Sequence, residues 1–136
     1  APDAQLDGIL IESMINNAII ELMLSLRRDP QFGLVLTVAS GGVMTEIFKD
    51  ASTVLVPADD VSLMAALESL RIAPLFDGFR GGPAASRAAV LDQIKCLVNL
   101  MDGAPDIIEI EINPMMVGTD YACCADVLIS ISSTAA

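Results

Sequence analysis

From Ile108 to Asn113 the chain alternates strictly between isoleucine and a hydrogen-bonding residue, Ile108-Glu109-Ile110-Glu111-Ile112-Asn113, and then reaches Pro114. A strand turns successive side chains to opposite faces, so this period of two predicts a half-buried strand. Ile108, Ile110 and Ile112 are expected in a core, with Glu109, Glu111 and Asn113 on the opposite face. The rest of the fold has to supply sheet neighbours for this strand and a cover for its apolar side.

Short apolar runs between turn signals provide the neighbours. Gly8–Ile15 and Leu34–Val38 read as strands, Val43–Phe48 as a short one after the Ser40-Gly41-Gly42 turn, and Ser52–Pro57 as an extended piece. Ile19–Leu26 is apolar enough to be strand or helix, and Arg27-Arg28-Asp29-Pro30 stops it. Ala122–Ile131 reads as a strand returning from a turn at Val117–Asp120. Two stretches have helical spacing. Leu63, Met64, Leu67 and Leu70 follow the capping pair Asp59-Asp60, and Ala84–Met101 carries Val90, Leu91, Ile94, Leu97, Val98 and Met101 on one stripe. Between them, Pro74–Pro83 is rich in Gly, Pro and Asp and is expected to be a loop. The expected fold is α+β, a mainly antiparallel sheet covered by two helices on one face, in a single domain spanning residues 1–136.

Composition excludes several function classes. Although 54% of the 136 residues are hydrophobic, no uninterrupted apolar run approaches the roughly 20 residues that span a bilayer. A soluble, cytoplasmic protein with no membrane partner is expected. A net charge of -11 opposes a polyanion, so a nucleic-acid partner is not expected. The lack of histidine removes the commonest general base and zinc ligand, leaving carboxylates, arginines and backbone groups to do any chemistry. Cys96, Cys123 and Cys124 are an odd number without metal-knuckle spacing and read as buried free thiols.

Glu109 and Glu111 would stand about 7 Å apart on one strand face. Like charges at that spacing suit a cation, and hard oxygen donors of this kind suit Mg²⁺, although a merely acidic solvated face has the same pattern. Asp126 stands alone among Cys123, Cys124, Ala125, Val127, Leu128 and Ile129, where an unpaired carboxylate would be costly if buried. A turn near Gly118–Asp120 would bring it beside Glu111 and Asn113; the alternative is an exposed aspartate on an edge strand. Gly41-Gly42 would let backbone amides approach an anion, or simply make a tight turn. Arg80, in Asp77-Gly78-Phe79-Arg80-Gly81-Gly82, would grip a phosphate or carboxylate, or lie free on the surface.

Five words in order, LIESM near the start, RRDPQFG at Arg27–Gly33, SGGVMTEIFKD at Ser40–Asp50, PLFDGFRGGP at Pro74–Pro83 and EINP at Glu111–Pro114, carry a resemblance along nearly the whole chain. It resembles the second ATP-grasp subdomain of ADP-forming acetyl-CoA synthetases and, more distantly, of the succinyl-CoA synthetase β subunit. The resemblance implies an antiparallel sheet that closes over ATP or ADP held against a first subdomain absent from this sequence. It implies Asn113 and Asp126 as Mg²⁺ ligands with Glu111 beside them. It also implies Glu12 at the ribose or base and Ile9–Ile11 as the adenine-facing hinge; Gly41, Gly42 and Arg80, singled out above as anion-facing, are expected as further nucleotide-binding positions. The implied reaction converts an acyl-CoA, ADP and phosphate reversibly into acid, CoA and ATP through a phosphohistidine on another domain. CoA would bind absent domains, as would the lysine that grips the phosphates, leaving the chain inactive alone. The alternative is a catalytically inactive regulatory module of an acetyltransferase-type fusion. A homodimer through apolar surface is also expected.

Overall fold

The computed structural model describes residues 8–42 and 49–132. Its strands are β1 (Ile20–Asp29), β2 (Gly33–Ser40), β3 (Ala51–Val56), β4 (Ile107–Val117), β5 (Ala122–Cys124) and β6 (Val127–Ile131). They form one sheet in the order β3-β2-β1-β4, with β5 and β6 both pairing along the far edge of β4, and every pairing is antiparallel. The helices are α1 (Asp60–Glu68) and α2 (Arg87–Gly103), with short 3₁₀ turns at Ala73–Phe76 and Phe79–Gly81 inside the segment expected to be a loop.

Alternation decides which face each strand buries. Leu22, Leu24 and Leu26 of β1, Leu36 and Val38 of β2 and Ile110 and Ile112 of β4 form one cluster with Leu63 and Leu67 of α1 and Val90, Ile94 and Met101 of α2. Both helices therefore cover one face, as expected, and the face carrying Met23, Ser25, Thr37 and Glu111 is left open. Asp59 caps α1, accepting from the Ser62 amide at 2.8 Å, and the bonds it accepts from Ser62 hold its carboxyl below the usual range. Ser86 caps α2 by accepting from the Ala89 amide at 3.2 Å.

Parts of two of the motif words are scaffolding. In Arg27–Gly33, Asp29 Oδ1 accepts from the amides of Gln31 and Phe32 at 2.9 and 3.1 Å, which builds the β1–β2 turn and lowers the Asp29 pKa. Arg28 donates from Nε to the Ile107 carbonyl at 2.9 Å and from Nη2 to the Met101 carbonyl, tying the open end of α2 to the sheet. Asp50, last residue of Ser40–Asp50, accepts from Ser40 Oγ at 2.6 Å and from the Arg71 amide at 2.9 Å, so it joins the end of β2 to the segment after α1.

Several sequence expectations are corrected. Gly8–Ile15 is not a strand: residues 8–18 run without secondary structure, and Ile9, Leu10 and Ile11 are 89%, 83% and 89% exposed, pairing with none of the described strands. The ambiguous Ile19–Leu26 is central strand β1. The second helix starts at Arg87, three residues later than Ala84, since Ser86 is its cap. Ile108 is 40% exposed rather than in the core, because the β4–β6 register shifts between Ile107 and Glu109 and Ile107 packs inward instead. Ala122–Ile131 is interrupted at Ala125-Asp126. Val43–Phe48 lies outside the described residues.

Candidate functional site

The site grows from an irregularity in β4. Leu22 pairs with Met115 and Leu24 with Ile112, so Asn113 and Pro114 together face the single residue Met23. A bulge of this kind re-aims a side chain at a sheet rim. On the other edge of β4 the register stays constant, Ile112 with Val127 and Met115 with Cys124, which sets Asn113 opposite Asp126. The backbone confirms it: the Asn113 amide donates to the Asp126 carbonyl at 3.1 Å, and the Ala125 amide to the Pro114 carbonyl at 3.0 Å.

The glycine pair after β2 meets the same point. Gly41 donates its amide to the Glu21 carbonyl at 2.8 Å, and Gly42 donates to Asn113 Oδ1 at 3.2 Å. Glycine is required at both positions for different reasons. A Cβ on Gly41 would fall 2.5 Å from the Leu22 carbonyl carbon, and Gly42 has φ +73° with a would-be Cβ 2.0 Å from Glu21 Oε2. The turn is thus pressed onto β1, with the Glu21 carboxylate above it and the Asn113 carboxamide beside it. Next to this turn a cavity of about 410 Å³ opens, lined by Asn16, Ile19, Glu21, Ser40, Gly41 and Met116, with Ile72 and Leu75 on its far wall.

Asn113, Asp126, Gly41 and Gly42 therefore gather at one end of the sheet. Glu111 sits one step down the open face, opposite Ser25 and Leu128 on the neighbouring strands. It lines a shallower groove of about 270 Å³ with Ser25, Arg27, Thr37 and Glu109, in which Ser25 Oγ donates to Glu109 Oε1 at 2.9 Å. Asp126 is exposed, not buried among apolar neighbours, because it lies on the edge of the sheet at the break between β5 and β6, where Val127, Leu128, Ile129 and Ile131 are exposed too. Among the described residues no three Asp, Glu, Cys or His side chains converge as a metal cluster. A cation at this end of the sheet would rely on the Asn113 carboxamide and the flanking carboxylates, and on oxygens from outside the chain.

Glu12 and Ile11 are exposed and do not line the cavity, and Arg80 lines a different one. The acidic residue the cavity does contain is Glu21. Its signal was present in the sequence as the single carboxylate inside the apolar run Ile19–Leu26, in phase with Met23, Ser25 and Arg27 on the open face, but the helix-or-strand ambiguity of that run hid it. The segment preceding β1 is held in place by Tyr121 Oη donating to Asn17 Oδ1 at 2.8 Å and by the Ile19 amide on the Val117 carbonyl at 2.7 Å.

Comparison with known proteins gives a consistent result. Residues 1–131 match the family model described as an ATP-grasp domain. A trans-feruloyl-CoA synthase from an unidentified prokaryote is 37% identical over 112 residues, which are 82% of this chain and 16% of that protein. The β subunit of the ADP-forming acetate–CoA ligase I of Pyrococcus furiosus is 32% identical over 125 residues, 92% of this chain and 53% of the subunit. Among solved structures, an acetyl-coenzyme A synthetase 1 of Candidatus Korarchaeum cryptofilum in complex with coenzyme A and Mg-AMPPCP superposes with a TM-score of 0.77 at 26% identity, over 83% of this chain and 53% of that one. The chain thus spans about half the length of the separate β subunit and about a sixth of the synthase.

Proposed function

Since the chain belongs to the ATP-grasp domain family, we propose that it is the Mg-nucleotide-binding half of an NDP-forming acid–CoA ligase, in which acyl-CoA, ADP and phosphate are converted reversibly into acid, CoA and ATP. One observation carries the reading: a glycine turn pressed onto β1, with no room for a side chain at Gly41, is hydrogen-bonded to Asn113, which pairs with Asp126 on the neighbouring strand. Such a turn brings backbone, not side chains, up to a bound group, and the oxygen donors beside it are the hard type that Mg²⁺ takes along with phosphate oxygens. The donor set fits that ion: Asn113 and Asp126 would hold it, with Glu111 one step along the same face. Mg²⁺, when bound, neutralises the phosphate charge that builds up during phosphoryl transfer.

The chain's own residues position. Gly41 and Gly42 hold the turn against β1, their amides donated to the Glu21 carbonyl and to Asn113 Oδ1, and the Gly42 amide thereby fixes the Asn113 carboxamide with its oxygen toward the turn. We assign to Glu21, rather than Glu12, the contact with the nucleotide's ribose or base, because Glu21 is the carboxylate in the cavity and Ile19 and Met116 supply an apolar wall beside it. The exposed strap Ile9–Ile11 is read as the surface that meets the first ATP-grasp subdomain on a part of the parent protein beyond this sequence. The CoA-binding region and a phosphorylated histidine belong to the parent as well, this chain having no histidine. A cytoplasmic location follows from that chemistry; among the described residues no helix is long and apolar enough to cross a membrane. The relatives named above are ligases, and no observation favours an inactive acetyltransferase-linked module.

The test is calorimetric titration of Mg-ADP and Mg-ATP into the chain and into an Asn113→Ala, Asp126→Ala double variant of matched circular dichroism. Weak binding that needs Mg²⁺ and disappears in the variant is expected. Absence of binding both here and in the full-length parent would sink the reading.

A further inference from the structure

The segment between the two helices encloses a second cavity, of about 670 Å³, that shares no lining residue with the one beside the glycine turn. Its chemistry contrasts with the rest of the molecule. The chain carries -11 overall and has only seven Lys and Arg residues, yet three of them, Arg71, Arg80 and Arg87, line this one hollow, against the two carboxylates of Glu68 and Asp77.

The three guanidinium groups differ in how far they are already engaged. Arg87 is the structural one. Its Nη1 lies 2.8 Å from Asp77 Oδ1 and donates to the Phe76 carbonyl at 2.8 Å, and its guanidinium stacks over the Phe76 ring at 5.1 Å. That pairing holds the Asp77 carboxyl below its ordinary range and cancels its charge. The Arg87 Nε is nevertheless buried without a hydrogen-bond partner, an uncommon and costly state for a donor. Arg71 and Arg80 make no side-chain hydrogen bond or ion pair among the described residues; only the Arg71 backbone is used, in its bond to Asp50. Arg80 lies 5.2 Å over the ring of the half-exposed Phe79, its plane fixed by that stacking. Its backbone sits at φ +52° between Gly78 and Gly81, where glycine would be the unstrained choice. The loop thus keeps a cation at a place where turning the chain requires none.

We propose that Arg71, Arg80 and Arg87 form a second anion site, one that takes the phosphate groups of a small phosphorylated ligand without Mg²⁺, separate from the Mg-nucleotide site. Two unengaged planar forks facing one open hollow suit a doubly charged, multidentate anion, which guanidinium binds in bidentate fashion. With Asp77 neutralised by Arg87, Arg71 and Arg80 set against Glu68 leave the hollow net positive. The proposal does not depend on the nucleotide reading, since none of its residues contributes to the glycine turn or the Asn113–Asp126 pair.

Pyrophosphate is the probe, titrated calorimetrically into the whole chain in Mg-free buffer containing chelator, with citrate as a parallel arm to separate phosphate from carboxylate recognition. Saturable, salt-sensitive binding of pyrophosphate is expected, stronger than that of citrate. An Arg71→Ala, Arg80→Ala variant, altered at two exposed side chains, should bind about a hundredfold or more weakly, the effect of losing two charge-assisted contacts. Arg80→Lys, which keeps the charge and loses the fork, should recover only part of the affinity. Asn113→Ala with Asp126→Ala should bind pyrophosphate as the parent chain does. Absence of saturable binding, equal binding of citrate, undiminished binding by the double arginine variant, or a loss in the Asn113/Asp126 variant would each overturn the site.

Discussion

Gly41→Ala tests whether the glycine turn is built against the sheet as described. The new Cβ would lie 2.5, 2.6 and 2.9 Å from the carbonyl carbon, oxygen and amide nitrogen of Leu22. Leu22 cannot retreat: it is fully buried and held on both sides, paired with Ser40 on β2 and Met115 on β4. The turn must move instead, by roughly 1 Å if the carbon contact is to reach ordinary van der Waals separation. That shift breaks the 2.8 Å bond from the Gly41 amide to Glu21 and pulls Gly42 off Asn113. Two lost hydrogen bonds at about 1 kcal/mol each and about 1–2 kcal/mol of overpacking are offset by about 0.5 kcal/mol from a stiffer unfolded chain. The expected net loss is about 2.5–3.5 kcal/mol, or about 10 °C in Tm for a domain of this size. Gly42→Ala should cost only about 1 kcal/mol, because its Cβ meets the far end of the Glu21 side chain, which can rotate away, leaving mainly the penalty of positive φ. Urea denaturation of the three proteins measures both. Gly41→Ala within 0.5 kcal/mol of the parent, or Gly42→Ala the worse of the two, would refute the packing argument.

Other consequences follow from the same structure. Arg28→Ala should destabilise the chain by about 2 kcal/mol in denaturant melts by removing the two bonds that bridge the Met101 carbonyl of α2 and the Ile107 carbonyl of β4, and Arg28→Lys should restore less than half, having no fork to bridge them. Asp59 has its pKa lowered by the bonds it accepts from Ser62, so its contribution is present above the unfolded value near 3.8 and is lost as pH falls through the lower folded value. Asp59→Asn keeps a capping side chain and should flatten the pH dependence of stability below about pH 4, read by melts between pH 2.5 and 6. Burial, and then its neighbours Cys123 and Cys96, raise the Cys124 pKa. Iodoacetamide at pH 8, followed by mass spectrometry, should therefore label the exposed Cys96 and Cys123 before Cys124.

How much of this was legible in the sequence depended on whether a residue's surroundings lay close by in the chain. The two helices carried their own evidence in stripe and cap, and Ile110 and Ile112 fell on the buried face that alternation assigned to them. Asn113 and Asp126 were brought opposite each other by a hairpin whose turn could be located. Glu21 went unread because its place in the cavity depends on Ile19–Leu26 being a central strand, and apolar content cannot separate a buried strand from a buried helix. Ile108 failed for a related reason: a one-residue bulge reverses the faces of everything beyond it and leaves no mark in the isoleucine pattern. The RRDPQFG and FKD words stood out as motifs, and the structure gives them work in a turn, a helix end and a strand junction.

The apolar run Gly8–Ile15 forms no strand in this chain, and what its exposed side chains meet is testable. Isoleucines at 9 and 11 gain nothing from burial in this chain, being almost wholly exposed. If they meet a second half of the site in the parent protein, burial there is worth about 1.5–3 kcal/mol for each side chain. Ile9→Ser with Ile11→Ser should then leave the denaturation midpoint of the isolated chain within about 0.5 kcal/mol of its parent, as surface changes do. The same pair in the full-length protein should cost several kcal/mol and weaken Mg-nucleotide binding. Equal effects in both contexts would mean that the strap packs on this chain after all, and no effect in either would mean that its apolar character serves no interface.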